Sequence, residues 1–208
     1  MKHLYLVRHG QTDGNKNKLW IGARSLYKLN SDGRMEAAVA GAKLRELDLD
    51  STAIFASPVE RAFQTAKIIQ SKISLPIVPV PNLSEMFFGD LEGIDEEQYK
   101  SEFSFTYEQW LKSCIDVFPP NGESGRRFLE RAVQVIENLS VEGETQNIII
   151  VTHSGIIKMF LAYILGTNLN VGWRDLDVPE VKTGGIAKIM MHDGKYRLIE
   201  MIGGGIDG

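Results

Sequence analysis

One cysteine, Cys114, stands in 208 residues, and an internal disulfide needs two. That cysteine and the four histidines fall into no zinc-ligand spacing. No apolar run approaches the roughly 20 residues that a membrane helix requires. Charge of one sign is scarce as well: 23 basic against 27 acidic residues give a formal net charge of −4. That balance suits nucleic acid poorly as a partner, so any anion site must be a local concentration of charge, and without a span no membrane partner is expected either. The opening MKHLYLVRHG meets arginine at position 8, too early for a secretory apolar stretch. A reducing compartment, the cytoplasm, is therefore expected. Repeats are missing too, and the glycine-rich ending IGGGIDG reads as a frayed tail.

What is present is a globular mixture, 43% hydrophobic and 24% charged, enough for one domain over residues 1–208. Three short apolar runs, LYLV at 4–7, AIFA at 53–56 and NIIIV at 147–151, read as strands buried on both faces. Helical patterns alternate with them. One begins near Ser31, with Met35, Ala38, Val39 and Ala42 as its apolar face. Another is SPVERAFQTAKIIQ, with Ser57 as N-cap, Pro58 in the first turn, Glu60 closing a capping box, and Val59, Ala62, Phe63, Ala66 and Ile69 as its stripe. Phe128, Ala132, Val135, Ile136 and Leu139 mark a third, and IIKMFLAYIL a fourth. IAKIMMHD and KYRLIEM around Gly194 predict a terminal hairpin. The alternation argues for an α/β fold, a three-layer α/β/α sandwich on a largely parallel sheet. The aromatic, acidic stretch at about 86–121 breaks the rhythm and is expected to form a small cap or lid.

Chemistry collects where the strands end. LYLV runs into Arg8-His9-Gly10, AIFA into Ser57-Pro58 with Arg61 soon after, and NIIIVT into His153-Ser154-Gly155. Parallel strands share one C-terminal edge, which is where open α/β sheets bind ligands. Neighbouring strands would bring two imidazoles, two guanidiniums and helix N-termini to one pocket, which describes a phosphate site. Singly, each residue has a plainer role: a surface loop for Arg8-His9, an ion pair for Arg61, a satisfied core histidine for His153. Their joint placement favours the pocket. A metal on His9 and His153 would be repelled by Arg8 and Arg61, and Ser154 lacks the G-x-S-x-G elbow of a serine hydrolase. Cys114 reads as inert packing, and His3 and His192 as solvated bystanders. Trp173 is expected in the core, whereas Trp20 and Trp110 fit either core or pocket entrance.

LVRHGQT with Asn15, then SPVERAFQTA, EMFFGDLEG and VTHSG, spread in that order over about residues 4–166, resemble the histidine phosphatase (phosphoglycerate mutase-like) superfamily. The resemblance implies that His9 is a nucleophile that becomes phosphohistidine. It makes Arg8, Asn15, Arg61, His153 and Ser154 phosphate-binding residues and Glu85 the proton donor, with no metal and no cofactor. His153 is expected to be protonated, and Glu85 to have a raised pKa because Met86, Phe87 and Phe88 desolvate it. Asp90 and Glu92, rival acids, are assigned structural roles.

Mutases of this family carry an insertion between the acid and the second histidine, whereas Glu85 and His153 are only 68 positions apart. They also place arginine directly after the acid and tyrosine two further on, where this chain has Met86 and Phe88. A phosphomonoesterase is therefore favoured, acting on a small phosphomonoester. NLSEMFFGDLEG and FPPNGESGRRFLERA resemble the α-ribazole-5′-phosphate phosphatase branch. The stretch Ile21-Gly22-Ala23-Arg24-Ser25-Leu26 departs from the family's Gln-Gly, acidic, Pro-Leu pattern. The alternatives are a broad sugar-phosphate or nucleotide phosphatase, a phosphoglycerate mutase and a non-catalytic phospholigand-binding module.

Overall fold

A computed structural model describes residues 1–47, 49–51, 53–141 and 145–205, so the end of the glycine-rich tail, 206–208, lies outside the described residues. Strands β1 (Lys2–Arg8), β2 (Ile54–Ala56), β3 (Ile77–Pro79), β4 (Asn147–Thr152), β5 (Ile186–His192) and β6 (Lys195–Ile202) form one sheet in the order β3-β2-β4-β1-β5-β6. The first four run parallel; β5 pairs antiparallel with β1 and β6 with β5. Buried β1 alternates its side chains between the two faces. Leu4 and Leu6 join one apolar core, Tyr5 and Val7 the other, which makes the three layers.

Helices α2 (Ser31–Glu46) and α3 (Glu60–Ile73) cover the second face. The first is covered by α6 (Gly125–Val141), α7 (Ser154–Leu165) and residues between β3 and α6, including the short helices α4 (Glu96–Glu102) and α5 (Ser104–Lys112). A single turn, α1 (Asp13–Lys16), follows β1. Among the described residues no helix is long and apolar enough to cross a membrane.

Two local expectations are corrected, and one strand is new. The buried face of α2 is Gly33, Glu36, Ala37, Ala40, Gly41 and Leu44, not the face of Met35 and Val39, which are 52% and 50% exposed. Small side chains let α2 approach α3, to the point that a Cβ on Gly41 would lie 3.1 Å from the Ile69 Cα; close helix contact outweighed hydrophobicity. Ser57 and Pro58 precede α3, whose N-cap is Val59 with no side-chain cap bond, so the capping box does not form. Glu60 instead accepts from Gln64 Nε2 at 2.8 Å, and Ser57 turns to a buried histidine. Strand β3, three residues at the sheet edge between Pro76 and Pro81, is too short and proline-rich to stand out in the sequence.

Candidate active site

The register that pairs Arg8 with Thr152 and Ala56 with Val151 aligns the C-terminal ends of β1, β2 and β4. The residues that follow them therefore meet. The His9 and His153 rings lie 5.2 Å apart, tilted by 63°. Arg61, at the second position of α3, sends Nε to His9 Nε2 at 3.2 Å. His9 is 2% exposed, Arg61 and His153 not at all.

Hydrogen bonds fix both imidazoles. His9 Nδ1 lies 2.7 Å from the Gly10 carbonyl, which can only accept, so the proton sits on Nδ1 and Nε2 keeps a lone pair. The Arg61 contact requires the same tautomer. Burial first, then Arg61 and Arg8, hold the His9 pKa well below 6.5, so the ring is neutral. His153 Nε2 lies 2.8 Å from Ser57 Oγ. Val59 N–H donates to the same oxygen at 3.3 Å; with the Ser57 hydroxyl donating to Nε2, the His153 proton sits on Nδ1. The expected protonation of His153 is corrected: burial, Arg61 and His9 depress its pKa far below 6.5 as well. A neutral ring still presents one N–H.

That N–H has no partner. Among the described residues the buried side-chain polar atoms without a hydrogen bond are Arg8 Nε, Arg61 Nη1, His153 Nδ1 and the Tyr99 hydroxyl. Three of these four belong to the strand-end cluster. An unmade buried hydrogen bond costs about 1–3 kcal/mol, and three such donors in one cluster could seat an acceptor-rich, anionic ligand. Backbone carbonyls hold both arginines in place: Arg8 Nη1 donates to Val181 O at 2.8 Å, and Arg61 Nη2 to Gly22 O at 3.1 Å. Desolvation lowers the Arg61 pKa to about 10, which still leaves it charged at neutral pH.

Glu85 sits beside this cluster, 7% exposed. It accepts from Met86 N at 2.9 Å and from Gly155 N, in the first turn of α7, at 3.0 Å. Burial raises its pKa against the pull of those two bonds, Arg61 and Arg8, as expected from the apolar residues after it. Gly155 is required here, since a Cβ would run into Glu85 Oε1. Asn15 turns Oδ1 inward to Thr12 N and Oγ1 and so leaves its amide NH2 for a ligand. Asn15, Ser154 and Glu85 line a cavity of about 630 Å³. Trp20, Phe88, Trp110 and Trp173 line it too. Trp173 is thus a half-buried cavity wall rather than core, stacked on Trp110 at 5.4 Å and 25°.

A model of the histidine phosphatase superfamily, branch 1, matches residues 4–202. The chain belongs to the histidine phosphatase superfamily. The adenosylcobalamin/alpha-ribazole phosphatase of Escherichia coli strain K12 is 31% identical over 170 residues, 82% of each chain. The crystal structure of the alpha-ribazole phosphatase of Shigella flexneri superposes with a TM-score of 0.83 at 28% identity, covering 99% of this chain and 100% of that one. A 2,3-bisphosphoglycerate-dependent phosphoglycerate mutase of Bartonella henselae is 28% identical over 79% of this chain and 82% of its own. The protein is a phosphatase.

Several residues of this phosphatase's site escaped the sequence reading. Ser57 orients His153. Thr65 Oγ1 accepts from Gly10 N at 3.1 Å, steadying the backbone that fixes His9. Buried Glu36 accepts from Gln11 N at 2.7 Å and Thr183 Oγ1 at 2.8 Å, tying the β1 loop to the loop before β5. Only the position of Ser57, directly after a buried strand, was a usable signal. Asp90 and Glu92 are structural as expected: Asp90 accepts from Asn121 Nδ2 at 2.9 Å and Glu92 from Ser25 Oγ at 2.7 Å. Cys114 is buried and its thiol pKa is pushed up to about 11, which suits inert packing. His192 is exposed, as expected for a bystander, while His3 is half-buried.

Proposed function

We propose that this phosphatase hydrolyses phosphomonoesters without a metal, through a phosphohistidine on His9 Nε2. Its substrates carry a flat aromatic group, as α-ribazole 5′-phosphate does. The observation that carries the reading is the fixed tautomer of a neutral His9, its lone pair facing Arg61 among three unpartnered donors.

The phosphoryl group takes the Arg61 Nε–H onto one of its oxygens and so bares Nε2. The Nε2 lone pair attacks phosphorus in line, and the P–O ester bond breaks with its electron pair on the leaving oxygen. Glu85, whose pKa burial raises, gives that oxygen its proton. Arg8, Arg61 and the His153 Nδ1–H hold the equatorial oxygens, with Asn15 and Ser154 at the rim. Each preorganised donor is worth ~3 kcal/mol, about a hundredfold in rate. The Glu85 carboxylate then takes a proton from water, the water oxygen attacks phosphorus, and the P–N electrons return to Nε2. Two guanidiniums supply the charge that a metal ion would otherwise bring.

The wall of Trp20, Phe88, Trp110 and Trp173 supports the substrate class, because aromatic faces stack on flat rings. The segment 86–121 acts as the cap that carries part of this wall. Met86 and Phe88 are buried and give a carboxylate-bearing glycolytic acid no cationic partner, which favours hydrolysis over mutase chemistry.

The test is p-nitrophenyl phosphate hydrolysis with and without chelator, beside His9→Ala and acid-labile labelling of the protein by phosphate. Chelator-resistant turnover, lost at least about a thousandfold in His9→Ala together with the label, is the expected result. Turnover that survives in His9→Ala removes the phosphohistidine. A screen comparing α-ribazole 5′-phosphate with sugar phosphates and 3-phosphoglycerate tests the substrate class, and phosphate transfer between hydroxyls of the last would reveal a mutase.

A further inference from the structure

The loop that carries Glu85, between β3 and α4, has no regular structure beyond 3₁₀ turns at Pro81–Leu83 and Gly89–Leu91, yet its backbone is held just before and at Glu85. From 82 to 85 each carbonyl accepts a hydrogen bond from a side chain of another element. Arg131, on α6, donates Nη1 to Asn82 O and to Ser84 O at 2.8 Å each, and Nη2 to Glu85 O at 3.3 Å. Thr152, at the end of β4, donates to Leu83 O at 2.7 Å. Arg131 is itself fixed by a bidentate pair with Glu123, at 3.0 Å from Nε and 2.7 Å from Nη2. Glu123 closes the circuit, because its own N–H donates to Phe87 O at 2.7 Å. Both side chains are mostly shielded, 21% and 17% exposed.

We infer that Arg131, locked by Glu123, is a positioning residue for Glu85, holding the loop so that the carboxyl group reaches the leaving oxygen. This rests on the role of Glu85 in the function proposed above. The side chain of Glu85 is anchored through Met86 N and Gly155 N, and Arg131 anchors its backbone from the other side. Only a planar fork reaches three carbonyls and a carboxylate at once; an ammonium offers its donors from a single nitrogen. A displacement of about 1 Å in such a group costs roughly a hundredfold in rate.

Leaving-group dependence separates positioning from plain stability. A nitrophenolate departs without a proton, a benzyl alkoxide does not, and kcat/KM reports only the steps through ester cleavage. The variants are Arg131→Met, which keeps an unbranched apolar stem and deletes the fork, and the milder Glu123→Gln. Both are compared with Glu85→Gln and the parent on p-nitrophenyl, phenyl and benzyl phosphate, whose shared ring keeps recognition constant. Arg131→Met is expected to lose about 30- to 100-fold in kcat/KM on benzyl phosphate and less than about threefold on p-nitrophenyl phosphate. Glu123→Gln should show the same bias at about fivefold, and it decides the matter if Arg131→Met does not fold. An equal loss on all three esters, or none, overturns the inference while a biased Glu85→Gln leaves the acid assignment standing. An unbiased Glu85→Gln removes Glu85 as acid and this inference with it.

Discussion

The proposed phosphate seat and the aromatic wall of the cavity beside it are built on different principles. The phosphate seat is polar and anchored by the sheet: β1, β2 and β4 end together, and His9, Ser57 and His153 follow them directly. Each seat residue is held by a short, directional bond, to Gly10 O, Ser57 Oγ, Val181 O or Gly22 O. The aromatic end is held by packing. Trp20 sits edge-on to Phe88, Tyr99 and Trp110 at 4.9–5.1 Å, on loops and short helices far apart in the chain. Directional bonds on rigid strands suit a reaction that tolerates little displacement. Ring packing on loops suits recognition of a leaving group that differs from substrate to substrate.

The sharpest way to break this contrast is at Arg61. Arg61→Lys keeps a cation but removes the fork that spans His9 Nε2 and the carbonyls of Ile21 and Gly22. Burial that brings the guanidinium down to about 10 would carry a lysine, which starts lower, toward neutrality. Loss of about 100- to 1,000-fold in kcat/KM on p-nitrophenyl phosphate is expected, with the ratio between aromatic and small esters unchanged. A change in that ratio would show that the two ends are not independent.

A smaller effect is expected from pH. His9, depressed by burial and two arginines, must be neutral to attack, so kcat/KM rises from the acid side as it loses its proton below 6.5. Glu85, raised by burial, must be protonated to act as acid, so kcat/KM falls as pH climbs through its value above 4.5. On benzyl phosphate, whose leaving oxygen needs the proton, Glu85→Gln should lower the plateau and abolish the basic limb while keeping the acid one. Substrate ionisation is common to both proteins and cancels in the ratio of the two profiles. A basic limb that persists in that ratio assigns it to another group.

The same contrast explains what the sequence disclosed. The seat was legible because each of its residues directly follows an apolar run or, like Arg61, lies in the first turn of the helix after it. Strand adjacency, an inference from fold class, is what the sheet order provides. The orientation of His153 and the parts of Ser57, Thr65 and Arg131 depend on contacts spanning 46 to 96 positions, and no local pattern encodes these. α2 misled because its buried face is made of alanine and glycine, which carry little hydrophobic signal but allow close helix approach. Trp173 misled because a large apolar ring reads as core whether it faces the interior or a cavity.

The smallest predicted effect tests the aromatic end alone. Trp173 lies on Trp110, and Lys158 fixes it by donating Nζ to its carbonyl at 2.6 Å, with the ammonium 5.0 Å from the ring centre. The stack thus offers a rigid face at low entropic cost. Stacking on such a face contributes about 1–3 kcal/mol per flat ring, so Trp173→Ala should raise KM for phenyl and benzyl phosphate about tenfold, and Trp173→Phe about twofold. Inhibition by inorganic phosphate should stay as it is, because phosphate occupies only the strand-end seat. If Trp173→Ala weakens inorganic phosphate as much as the aromatic esters, the wall works by shaping the seat, and packing and directional bonding act as one device instead of two.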